Sequence, residues 1–100
     1  MHSALSNRAY LETYGAAEET APSIQKLIDQ GAIVVGKTKM STFASAEAPT
    51  DQWVDFHCPF NPRADGYLSP AGSTTGGGAA LAGYEWLDYS IGTDSRYRLL

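Results

Sequence analysis

The chain has 100 residues, 43% of them hydrophobic, and a formal net charge of -4, which allows one domain at most; a chain this size buries roughly 60–70% of its unfolded surface. Scattered cations on an acidic chain argue against a nucleic-acid binder, whose footprint is a basic patch. The single cysteine, Cys58, excludes an internal disulfide framework, and no apolar run approaches the ~18 residues that span a membrane.

The N-terminal stretch MHSALSNRAYLE lacks a basic region followed by an apolar one, so a secretory signal is absent from it and a cytoplasmic protein is expected. Thr20-Ala21-Pro22-Ser23 then reads as a helix start. Thr20 can cap, and Pro22 suits the first turn because its missing N–H would be unpaired there anyway. Ile24, Leu27 and Ile28 make one apolar stripe, and Gly31 ends the helix.

Residues 31–38, GAIVVGKT, satisfy the pattern G-x-x-x-x-G-K-[ST] of a phosphate-binding loop. The order of elements is wrong for one. A strand should precede the first glycine, whereas a helix precedes Gly31. The four intervening residues, Ala32-Ile33-Val34-Val35, are apolar and mostly β-branched, which suits a buried strand over 32–36. The expectation is helix, glycine cap, strand, and no nucleotide.

Residues 40–47 predict a short helix. Residues 48–71 hold four of the five prolines and no periodicity, so a long irregular segment is expected. Gly72-Ser73-Thr74-Thr75-Gly76-Gly77-Gly78 is a glycine-rich turn leading into a helix at roughly 77–84, and DYSIGTD reads as a short strand ending in a turn. The turn places hydroxyls and unpaired N–H groups at a helix N-terminus, where an anion or a developing oxyanion can be held. A plain cap or a flexible linker is the alternative reading. His57 and Cys58 are neighbours that face opposite ways in an extended chain, so they read as structural and not as a nucleophile pair. No second cluster of metal-ligand residues accompanies them, and no zinc site is expected. Trp53, Phe56, Phe60, Tyr67, Tyr84, Trp86 and Tyr89 read as core or as a pocket lining.

Three pieces in order resemble the amidase signature hydrolases. LIDQGAIVVGKTKMSTFA (27–44) resembles their helix–strand–GKT segment, CPFNPRADGYLSPAGSTTGGGAALAG (58–83) their glycine- and serine-rich signature, and SIGTDS (90–95) the turn that leads to the nucleophile. The resemblance is nearest to fungal members. It implies an α/β fold, here incomplete: residues 1–94 as a partial amidase domain and 95–100 as a divergent tail. It also implies hydrolysis of a small-molecule amide by a Ser–cis-Ser–Lys triad without cofactor or metal.

Carried onto this sequence, the resemblance puts the relay hydroxyl at Thr74 by the spacing to Asp94, behind a cis Ser73–Thr74 bond. A one-residue shift makes Ser73 the relay. Gly72, Thr75 and Gly76 fall at substrate-binding positions. The catalytic lysine belongs to a K-D motif upstream of the segment matching 5–14, and the chain begins after it. Lys37 does not correspond to it. The nucleophile position, four residues after Asp94, is Arg98. The expectation is therefore an amidase fragment that is inactive alone. The alternative is a non-catalytic binding module that uses the glycine-rich turn as an anion site.

Overall fold

The structure, a computed structural model, describes residues 5–44, 55–70 and 72–93. These residues form three α-helices and one 3-10 turn: α1 (Arg8–Tyr14), α2 (Pro22–Asp29), the turn Thr42–Ala44, and α3 (Thr75–Gly83).

Helix α1 is not anticipated by the sequence reading, although both of its ends carry signals. Asn7 is extended and its side-chain oxygen accepts from the Tyr10 N–H at 2.8 Å, while Gly15 closes the helix at φ 72° with its N–H on the Leu11 carbonyl. One turn apart, Tyr10 and Tyr14 bring their rings to 4.7 Å, and Tyr10 meets the edge of Phe43 at 5.9 Å. The Arg8 N–H donates to the Asp55 carboxylate at 2.8 Å, and the Arg8 guanidinium lies 5.4 Å from the centre of the Phe56 ring. Leu5 and Ser6 supply carbonyls to the Phe43 N–H and the Thr42 hydroxyl. This segment is thus clamped to both 42–43 and 55–56.

Helix α2 falls where the sequence placed it. Pro22 sits in the first turn as expected, but the N-cap is Ala21, without a side-chain bond, so Thr20 does not cap. Gly31 has φ 99°, its N–H donates to the Ile28 carbonyl at 2.9 Å, and the Ala32 N–H donates to the Leu27 carbonyl at 3.0 Å. These two bonds form a Schellman ending, which needs a residue of positive φ at this position. The first glycine of GAIVVGKT is therefore a helix stop. Its N–H is already engaged by the helix and is not offered to a phosphate.

Residues 32–40 carry no regular secondary structure. Ile33, Val34 and Val35 are 86%, 46% and 59% exposed. β-branched residues become a strand only where a neighbour takes their N–H and C=O groups, and the described residues contain no strand. Within the expected 40–47 helix, only Thr42–Ala44 turns, with Phe43 and Ala44 at φ 55° and 54°; residues 45–47 lie outside the described residues.

The stretch 55–70 is without helix or strand, as its prolines led one to expect. It is nevertheless closed locally. The Asn61 N–H donates to the Leu68 carbonyl at 2.8 Å, and the Asp65 carboxylate accepts from the N–H groups of Tyr67 and Leu68 at 2.9 and 3.1 Å. Those two N–H groups hold the Asp65 carboxyl below its ordinary range. With the folded value depressed, this support is present above the unfolded value of about 3.9 and is lost as the pH falls through the folded one. A carboxyl-detected NMR titration is expected to find Asp65 below that ordinary value; a midpoint at or above it would remove the turn's acid sensitivity.

Helix α3 has four glycines in nine residues, TGGGAALAG. Each costs about 1 kcal/mol against alanine in a helix interior, so propensity does not form this helix. Tertiary contact does, and the residues making that contact form the candidate site.

Candidate active site

The N-terminal turn of α3 is held between two other segments. On one side is the backbone of Lys39–Ser41. The Gly76 N–H donates to the Lys39 carbonyl at 2.9 Å, and the Ser41 N–H donates to the Ser73 carbonyl at 3.1 Å. A Cβ at Gly76 would stand 2.5 Å from both the nitrogen and the carbonyl oxygen of Lys39, so only glycine permits this approach. On the other side is the segment Ser90–Gly92. A Cβ at Gly77 would meet the Ser90 hydroxyl oxygen at 2.8 Å and Thr74 Cγ2 at 2.9 Å, and one at Gly92 would lie 3.7 Å from Thr74 Cγ2.

The five candidate residues fall into two groups. Gly72 and Thr74 are exposed and Ser73 is half-buried, so their atoms reach solvent. Thr75 and Gly76 are buried, Thr75 to 2% exposure, and Gly76 packs on Lys39 as Gly77 does on Ser90. The described part of the turn contains one non-proline cis peptide, Gly72–Ser73. This bond lies one residue before the Ser73–Thr74 bond, where the resemblance implies a cis peptide. Thr74 is the N-cap of α3, but its hydroxyl makes no capping bond. The structure brings Ser73 and Thr74 to one exposed rim of a tightly packed turn. Asp94 and Arg98 lie outside the described residues.

Three contributors were missed in the sequence. Ser41, 2% exposed, anchors Ser73 through its backbone; Lys39 provides the wall against Gly76; Ser90 closes the far side. The glycine run itself was the available signal, since consecutive glycines entering a helix mark a close backbone approach. The partner of that approach could not be read from local pattern.

Lys39 also reaches the irregular segment: its ammonium donates to the His57 carbonyl at 3.3 Å. Burial pushes the Cys58 thiol up, and the Lys39 charge pulls it only partly back. A raised thiol pKa lowers the thiolate fraction, which is the reactive form. Iodoacetamide is expected to alkylate Cys58 at least ~10-fold more slowly in the native chain than in urea; equal rates would contradict the burial. No group of three or more His, Cys, Asp or Glu residues that could hold a metal occurs among the described residues, and no described helix is long and apolar enough to cross a membrane.

The profile of the Amidase family matches residues 7–95. This chain belongs to the amidase family. Among its relatives, a glutamyl-tRNA(Gln) amidotransferase subunit from Brachyspira hyodysenteriae is 40% identical over 72% of this chain and 14% of its own length. Amidase 1 of Arabidopsis thaliana is 35% identical over 89% of the chain and 20% of its own length, and the chloroplastic outer envelope protein 64 of the same plant is 31% identical over 86% and 14%. The chain spans a fifth or less of the length of these relatives. They are bacterial and plant proteins, so they lend no support to the fungal affinity expected from the sequence. No solved structure matches the chain.

Proposed function

We propose that these 100 residues are the signature-bearing piece of an α/β amide hydrolase and hydrolyse nothing by themselves. Residues 1–94 supply part of the domain, and 95–100 diverge from it. One observation carries this reading: the glycine-rich turn is clamped between 39–41 and 90–92, with the half-buried Ser73 and the exposed Thr74 at its edge. A proton relay needs such a fixed hydroxyl, because a misplaced one loses the gain of orientation. The family match over 7–95 supports the chemistry. The chain contributes neither the K-D lysine nor, at Arg98, the attacking serine. Triad members act as a unit, so loss of the nucleophile removes the covalent route.

Ser73 is the relay in this reading. Its backbone is pinned by the buried Ser41, and its side chain keeps the small, unbranched hydroxyl that proton transfer in a tight site needs. The substrate class is a small-molecule amide. The exposed Ile33-Val34-Val35 run is the segment that would pair as a strand once the rest of the domain covered it.

A graft tests this. Residues 7–93 replace the aligned segment of Amidase 1 of Arabidopsis thaliana, which retains its own residues on either side. The graft is expected to release ammonia from amides that the parent cleaves. A folded graft with no turnover would refute the reading.

A further inference from the structure

The geometry points to Thr74 as a positioning residue whose methyl group, and not its hydroxyl, braces the glycine-rich turn against the segment 90–92. Threonine at an N-cap ordinarily acts through its hydroxyl, which accepts from an N–H of the first turn. Here that bond is not made, and the first-turn N–H of Gly76 donates instead to the Lys39 carbonyl at 2.9 Å. Of the Thr74 side-chain atoms, the methyl carbon Cγ2 lies nearest to where a Cβ of either facing glycine would stand. It comes within 2.9 Å of the Cβ position of Gly77, on α3, and within 3.7 Å of that of Gly92, on the adjacent segment; Oγ1 is farther from Gly92, at 4.0 Å.

A methyl set between two residues without side chains fills space that neither can fill. β-branching fixes it there, because χ1 of threonine has few wells. Serine in this position would keep the hydroxyl and leave the space empty. The Ser90 hydroxyl touches the same face of Gly77 at 2.8 Å from its Cβ position, so the brace and Ser90 together set the distance between α3 and 90–92. The meaning of this brace for catalysis rests on the amidase reading: it would keep Ser73 and the Gly92 turn in fixed register. The brace itself does not depend on that reading.

The test is amide hydrogen exchange on the 100-residue chain, which reads packing and not hydrolysis. Thr74→Ser removes the methyl and keeps the hydroxyl; Thr74→Val keeps the methyl and removes the hydroxyl. Exchange at 76–78 and 90–93 is expected to accelerate roughly 3- to 10-fold in Thr74→Ser, the effect of losing one packed methyl, and to stay within about 2-fold of the parent in Thr74→Val. Three results overturn the proposal: no acceleration in Thr74→Ser, equal acceleration in both variants, or a parent chain with no protection at these amides. None of them bears on whether the graft hydrolyses amides, so the two readings fail separately.

Discussion

Gly76→Ala is expected to abolish the protection of α3, whereas Gly78→Ala, two residues on in the same helix, strengthens it. The two substitutions add the same methyl and gain the same helix propensity, about 1 kcal/mol. They differ in what the methyl meets. At Gly78 nothing lies within 4 Å. At Gly76 the new carbon would stand 2.5 Å from the nitrogen and the oxygen of Lys39, both backbone atoms. A flexible side chain could swing aside; a peptide unit cannot, and moving it also breaks the Gly76 N–H bond to Lys39. Overpacking costs about 1–3 kcal/mol even where the surroundings relax, and here the upper end or more applies. Exchange of the α3 amides should rise on the order of 100-fold in Gly76→Ala and slow up to about 5-fold in Gly78→Ala. Equal behaviour of the two variants would mean that α3 does not rest on 39–41.

If Ser73 is the relay proposed above, Ser73→Ala in the graft is expected to lower amide hydrolysis by about 10²- to 10⁴-fold, the usual worth of a positioned proton-transfer group. The loss should fall on kcat, with KM nearly unchanged, because the hydroxyl acts in the transition state. Thr74→Val should stay within a few-fold of the parent, since its hydroxyl is not asked to carry a proton. A large loss in Thr74→Val with Ser73→Ala unaffected would return the relay to Thr74, where the spacing to Asp94 places it.

What could be read from the sequence was local. The end of α2 was legible at Gly31, because only one residue type tolerates that φ cheaply. Helix α3 was legible in outline from the small residues after the glycines, although it starts two residues earlier, at Thr75, than the pattern suggested. Asn7 and Gly15 bracket α1, but with seven residues between them the helix offered too short a stripe to recognise. Thr20 misled because capping depends on backbone geometry as well as residue type, and it was Ala21 that took the position before Pro22.

The candidate site was legible as a set of residue types and not as an assembly. Nothing near Gly76 in sequence says that its partner is Lys39, 37 positions away, or that Ser90 lies on Gly77. Such contacts depend on how segments stack, and that leaves no local period. The fate of Ala32–Gly36 has the same origin. Its composition prepares a strand, but a strand is a relation between two segments, and the described residues offer only one.

The most direct measurement is ammonia release by the purified 100-residue chain from a panel of small aliphatic and aromatic amides. A rate indistinguishable from buffer is expected, because the lysine and the attacking serine of the proposed triad are not among these residues. Turnover by the chain alone, lost on Ser73→Ala, would contradict it and show that a complete catalytic site is built from these 100 residues.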